Sequence, residues 1–218
     1  MRDAVPDRAA FENLLPRDLQ TPAFDGQSCV DAIDSSYKDH GYGVLLYALA
    51  RVFKPRDCVE LGVYRGFSLL ATASALRDNG AGAIVGYDLF DRYPYRHDSI
   101  ASCERNIAHC GLQRWASARE ADAFAVADRV PSADWLHVDI SNDGETYRRV
   151  FAQWSGKARR IILLEGGSGE RDRVDWMRRY AKPPIAPVVG ELRRAHPAWR
   201  FVVLSPYPSL TVAVRTDD

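Results

Sequence analysis

Apolar residues fall along this chain in two alternating patterns, helix-length stretches with a period of three to four and short runs of unbroken apolar character. A helical stretch covers residues 44–53 and stops at Pro55. A run at 57–61 follows, then a helix over 68–77 ending before Gly80, then a second run at 83–88. The alternation continues with a helix at 102–110 closed by Gly111, a weak strand at 115–119, a helix at 123–129 and a run at 133–139. A helix at 145–154 precedes the run 160–165, which ends in an acid. Runs without polar alternation suit strands buried on both faces, the condition of a parallel sheet held between two helix layers. After a helix at 188–195 come strands at 199–204 and 210–215, joined by Ser205-Pro206-Tyr207-Pro208-Ser209. That link is too short for a parallel crossover, which needs about a dozen residues, so the last pair is antiparallel. The pattern predicts an α/β fold with a seven-stranded, mostly parallel sheet, an antiparallel C-terminal hairpin and helices on both faces.

Residues 1–40 have weak periodicity and several breakers (Pro6, Pro16, Pro22, Gly26) and read as an N-terminal extension or cap with short helices, a candidate lid. Residues 41–218 read as one domain, since no repeat or linker divides them. The 218 residues are 46% hydrophobic and 27% charged, the balance of an ordinary globular protein. Lys and Arg (29) equal Asp and Glu (29), so no basic field exists to grip nucleic acid. The arginine pairs Arg148-Arg149, Arg159-Arg160, Arg178-Arg179 and Arg193-Arg194 read as solvated helix faces. The start has no apolar core of a signal peptide, and no apolar run approaches the ~20 residues that cross a bilayer. The expected location is cytoplasmic. In keeping with it, Cys29, Cys58, Cys103 and Cys110 read as reduced core or surface thiols, with Cys103 and Cys110 on one helical face and no CxxC pair.

The main chemical signal is Val59-Glu60-Leu61-Gly62-Val63-Tyr64-Arg65-Gly66-Phe67-Ser68, a buried strand that delivers an acid, a glycine turn and a helix. Gly62 and Gly66 let the backbone turn sharply and a ligand come close. Asp88 lies 22 positions after Gly66, at the end of the next strand. An acid about twenty residues on is where an α/β nucleotide site holds ribose hydroxyls. A pyrophosphate loop would read GxGxxG, whereas here Glu60 precedes the first glycine and would repel a phosphate. An acid there suits a ligand with a positive head, such as S-adenosylmethionine with its ammonium and sulfonium.

On these residues the chain resembles the class I S-adenosylmethionine-dependent methyltransferases, from about Gly41 to Arg215. The resemblance implies a Rossmann-like fold, with the loop from Glu60 through Gly62, Tyr64 and Gly66 to Ser68 around the methionine portion. Asp88 would bond the ribose, Leu89 and Phe90 would flank the adenine, and Asp122 with Ala123 would lie near its amino group. The stretch from Trp135 to Tyr147 is similar to one branch, which includes small-molecule O-methyltransferases of the catechol, macrolide-sugar and aminocoumarin types and cephalosporin hydroxylase-like proteins. In that branch the acids ending the fourth and fifth strands bind a divalent cation that orients a substrate hydroxyl.

The chain departs from that pattern after its fifth strand, at Leu164-Glu165-Gly166-Gly167-Ser168, where Gly166 replaces the second fifth-strand ligand. Asp139 and Glu165 could still share Mg²⁺ with water, but the favoured expectation is no metal, with Asp139 capping the next helix and Glu165 bonding backbone or substrate. Asp139, Glu165 or His137 is then the candidate general base, His137 reading more readily as a packed strand histidine. Tyr93-Pro94-Tyr95-Arg96-His97 is expected in the pocket wall. Glu170-Arg171-Asp172-Arg173 reads as a charge run solvating a loop or helix start, within reach of substrate. The expected function is methyl transfer to a hydroxyl or amine of a small molecule such as a sugar or secondary metabolite. Two alternatives stand beside it. One is a use of the donor without methylation, by cyclisation of its aminobutyrate arm, an alternative that the departure at Gly166-Gly167-Ser168 leaves open. The other is a non-catalytic ligand-binding protein. No residue argues for a nucleic-acid or membrane partner, and a homodimer is left open.

Overall fold

The computed structural model describes residues 22–95, 97–205 and 208–216. Residues 1–21 of the expected extension, Arg96 of the expected pocket wall, and Pro206 and Tyr207 of the hairpin link lie outside the described residues. Seven strands form one sheet: β1 (Asp57–Leu61), β2 (Ala83–Asp88), β3 (Ala116–Glu120), β4 (Ala133–Val138), β5 (Ala158–Glu165), β6 (Trp199–Leu204) and β7 (Leu210–Arg215). Their spatial order is β3-β2-β1-β4-β5-β7-β6, with β1 to β5 parallel and β7 antiparallel to both neighbours. The hairpin therefore places its second strand inside. Burial explains the choice. β7 is buried along its first four residues, whereas β6 alternates between buried Trp199 and Phe201 and exposed Arg200 and Val202. A half-polar strand belongs at an edge and an apolar one between neighbours.

Helices cover both faces. α1 (Gln27–Asp31), α2 (Tyr42–Phe53), α3 (Phe67–Asn79) and α4 (Ile100–His109) pack on one side. α5 (Ala123–Arg129), α6 (Gly144–Trp154), α7 (Asp175–Arg179) and α8 (Ala186–Ala195) pack on the other. α3 shows no amphipathic period because its residues from Phe67 to Leu76 are all buried. The segment before α2 joins the first core: Phe24 stacks on Tyr47 at 4.4 Å between ring centroids, and Tyr37 stacks on Tyr42 at 5.0 Å. Neither α7 nor the short turns of 3-10 helix at Lys38–His40, Phe90–Arg92 and Arg171–Arg173 is long enough to leave a helical period in the sequence.

The expectation of four reduced thiols is corrected. Cys29 of α1 and Cys110 form a disulfide with Cα atoms 5.8 Å apart, while Cys58 and Cys103 are buried and free. Cys110 leaves the helical face it was expected to share with Cys103 because α4 ends at His109, which makes Cys110 the C-cap. The expectation of a reducing, cytoplasmic setting loses the support it drew from these residues. No described helix is long and apolar enough to cross a membrane.

Candidate active site

At the carboxyl end of β1 the chain turns through Gly62, whose φ of 87° places it in the left-handed region. A Cβ at this position would lie 1.9 Å from the carbonyl oxygen of Asp139. Gly62 is thus required by the neighbouring strand, whose Asp139 N–H donates to Leu61 O at 2.8 Å, as much as by any ligand. Gly66 (φ 94°) caps α3 at its N-terminus, and Tyr64 between them is itself held at φ 52°. Asp88 closes the loop from the side. Its Oδ2 accepts from the N–H groups of Val63 (2.7 Å) and Tyr64 (2.9 Å), and its Oδ1 from Phe90 N–H (2.9 Å).

The structure places Glu60 below this loop. Glu60 and His137 are register partners on β1 and β4, and both are fully buried. Glu60 Oε1 accepts from Ser68 Oγ at 2.7 Å, and Oε2 lies 3.2 Å from His137 Nδ1 at an angle poor for a hydrogen bond. Burial works against charge on His137, but Glu60 beside it, with Asp139 and Glu165 further off, outweighs burial and raises its pKa above the usual 6.5. The acid that seemed positioned to meet a positive ligand instead ties the start of α3 to β4.

A cavity of about 410 Å³ opens above the loop, within the ordinary range for a small-ligand site. Of the expected cofactor residues, Gly62, Tyr64, Ser68, Asp88, Leu89, Asp122 and Ala123 line it. Glu60, Gly66 and Phe90 do not line it, and Phe90 is buried beneath. Asp122 is the N-cap of α5, its Oδ1 accepting from Phe124 N–H at 2.8 Å. Tyr93 and His97 line the wall, with Tyr95 stacked edge-on against Tyr93. The segment before α2 contributes Asp34 to Tyr37 to the lining, and Asp34 accepts a hydrogen bond from the Tyr64 hydroxyl at 3.2 Å.

Of the three candidate catalytic residues, only Asp139 reaches the cavity. Its carboxyl is pushed up to about 7, chiefly by burial and then by the charge of Glu165, with His137 and Tyr37 pulling the other way. Tyr37 lies against it, and burial followed by the charges of Asp139 and Glu165 raises that phenol well above its usual 10. The helix cap expected of Asp139 falls to Asp143, whose Oδ1 accepts from Thr146 N–H at 2.9 Å.

Two residues that were not among the expected catalytic or cofactor residues complete it. Asn142 donates from Nδ2 to Asp139 Oδ1 at 3.3 Å and to Glu165 Oε2 at 2.9 Å, so one amide bridges the two carboxylates. Arg171 meets Glu165 with two parallel bonds, Nε to Oε1 at 3.0 Å and Nη2 to Oε2 at 3.1 Å. The expectation of a solvated charge run is corrected here: Arg171 is only 4% exposed and lies over the Trp176 ring. The available signal was Glu165 six residues upstream at the end of an apolar strand, since a buried acid requires a cation or donors.

The donor set does not fit a divalent cation. Both oxygens of Glu165 face a guanidinium, Gly166 supplies no side chain, and no cluster of three or more His, Cys, Asp or Glu suited to a metal occurs among the described residues. Packing bears on the two glycines that follow Glu165. Cβ atoms there would meet Ile185 Cδ1 at 2.8 Å and Thr211 Oγ1 at 2.1 Å, so close packing accounts for both glycines.

Residues 59–161 match the family described as a methyltransferase domain. Over 155 residues the chain is 28% identical to caffeoyl-CoA O-methyltransferase 3 of Nicotiana tabacum, and over 153 residues 29% identical to caffeoyl-CoA O-methyltransferase 5 of the same plant. These alignments cover 67% of this chain and 57% and 58% of the relatives, so the chain spans a little over half their length. Among solved structures, SAH-bound methyltransferase PaMTH1 of Podospora anserina has a TM-score of 0.70 at 18% identity, covering 100% of both chains. The O-methyltransferase TomG from Streptomyces achromogenes, solved with SAM, has a TM-score of 0.66 at 17% identity, covering 95% of each. That family match spans the stretch that carries the glycine loop, Asp88 and Asp139. The resemblance to class I S-adenosylmethionine-dependent methyltransferases, in the branch with the small-molecule O-methyltransferases, is borne out.

Proposed function

We propose that this chain transfers a methyl group from S-adenosylmethionine to a hydroxyl of a small molecule such as a sugar or secondary metabolite. The observation that carries the reading is one cavity lined together by the glycine loop, Asp88 and Asp139. Ser68, Tyr64 and the loop backbone would hold the methionine portion, Asp88 the ribose, and Leu89 with Asp122 and Ala123 the adenine. The donor supplies an activated methyl on a positively charged sulfur, so this chain's work is alignment and proton removal. Asp139 is placed for the second task. A carboxyl near 7 takes a proton from an acceptor hydroxyl more readily than one near 4, and it remains substantially ionised at neutral pH. Asn142 fixes its orientation, and Tyr37, held as the neutral phenol, closes the site from above.

The test is to titrate S-adenosylhomocysteine into the protein by calorimetry, then incubate the protein with the donor and a panel of hydroxylated small molecules and analyse products by mass spectrometry. Saturable binding and S-adenosylhomocysteine formed only with an acceptor support the reading. Methylthioadenosine without an acceptor would establish the cyclising alternative instead, and absence of donor binding would remove both.

A further inference from the structure

Glu165 ends β5, Asp139 directly follows the neighbouring β4, and a single amide bridges the two carboxylates. Left alone, such a pair repels itself in a partly dry site and draws a cation. The cation is already in the chain. We infer that Arg171 is a positioning residue that does, with a covalently tethered guanidinium, what a divalent metal would otherwise do here. It neutralises Glu165, lets Asn142 hold Asp139 toward the acceptor, and leaves the site with no affinity for Mg²⁺ or Mn²⁺. The inference rests on the methyl-transfer reading of the cavity for its functional meaning, but its metal titrations do not.

The guanidinium is built in. Its two bonds to Glu165 are the bidentate form in which arginine matches a carboxylate in geometry as well as charge. Its Cζ lies 4.8 Å from the centroid of the Trp176 ring, and the backbone N–H of Arg171 donates to Ser168 Oγ at 3.1 Å. The turn Arg171–Arg173 is pinned from the other side, where Asp172 accepts from the N–H groups of Ile185 (2.6 Å) and Ala186 (2.8 Å). A divalent ion taking Glu165 as ligand would sit within a few ångströms of this fixed positive charge, in surroundings that screen poorly. It would also find Gly166 where a further oxygen ligand is needed, and Mg²⁺ in particular tolerates little departure from its geometry.

The experiment is a Mn²⁺ titration of the full chain followed by electron paramagnetic resonance, with the metal alone as probe, on wild type, Arg171→Met and Arg171→Lys. Wild type should leave the free-ion signal undiminished to about 1 mM. Arg171→Met, which keeps an apolar side chain over Trp176, should gain a site at least roughly tenfold tighter. Arg171→Lys, which keeps the charge, should stay blind to the ion. Turnover of wild type should be the same with and without EDTA. A wild-type site tighter than about 1 mM that Asp139→Asn abolishes would overturn the inference, as would EDTA-sensitive turnover. So would a folded Arg171→Met that binds no better than wild type. If Arg171→Met does not fold, the wild-type and lysine titrations decide the matter alone. The Mn²⁺ titrations do not depend on whether the cavity binds a methyl donor, so their failure is distinct from failure of the proposed function.

Discussion

Replacing Asp139 by asparagine removes one ionisable proton and little volume, and its effects on stability and on turnover should run in opposite directions. The carboxyl sits at about 7 instead of its usual 3.8 because burial and Glu165 disfavour the charged form. A folded-state pKa above the unfolded one means that the group's contribution is fully present below the unfolded value and is lost as pH rises through the folded one. Wild type should therefore lose stability between about pH 4 and pH 7 on account of this group. A displacement of this size has a ceiling of roughly 4 kcal/mol at 1.36 per pH unit, reached only above pH 7. Between pH 5 and pH 8, Asp139→Asn should gain on wild type by about 1–3 kcal/mol, the lower values reflecting relaxation of Glu165 and Asn142 around the ion. Urea denaturation at those two pH values reads the difference directly. In the same preparation, donor affinity should change by less than about tenfold. Turnover should fall severely, and wild-type kcat should rise with pH through about 7 as the base ionises. A variant that loses stability equally at both pH values would show that Asp139 is an ordinary structural carboxylate. Undiminished turnover would place the reaction elsewhere.

Asp88→Ala removes the acceptor for three loop N–H groups together with the proposed ribose ligand, and should weaken S-adenosylhomocysteine binding by about 1.5–3 kcal/mol in calorimetry; unchanged affinity in a folded variant would contradict the ribose assignment. Gly62→Val should cost stability before it costs binding, because its Cβ meets the Asp139 carbonyl at 1.9 Å, and a thermal melt unchanged from wild type would refute that packing. Cys29→Ser opens a closure across 81 residues and should lower stability by up to about 4.5 kcal/mol on the loop-entropy estimate. Thiol reductant should lower the wild-type melting temperature and leave that of the variant unmoved.

The glycine-loop part of the site was legible in the sequence because it depends on local order. Gly62, Gly66 and Asp88 occur where a strand, a turn and the next strand must place them, and Asp139 sits where an apolar run stops. The surroundings of Asp139 were not legible, because they depend on side chains brought together from separate elements. Glu60 read as a ligand-facing acid until the register of β1 with β4 put His137 beside it. Arg171 sat in a charged tetrad that looked solvated, and only the fold buries it against Glu165 and Trp176. Tyr37 carried no signal, since the segment before α2 lacks a period and its place over Asp139 comes from stacking on Tyr42. The antiparallel hairpin was foreseen from its short link. The interior place of β7 follows from its continuous burial, a property of neighbours rather than of spacing.

The central claim is that one cavity seats the methyl donor with its sulfur end toward Asp139. A crystal structure of the full chain with S-adenosylhomocysteine tests it most directly. The account predicts the adenine beside Leu89 and Ala123, the ribose hydroxyls within hydrogen-bond distance of Asp88, and the sulfur on the Asp139 side of the glycine loop. Adenosine seated anywhere else, or a sulfur pointing away from Asp139, would contradict it.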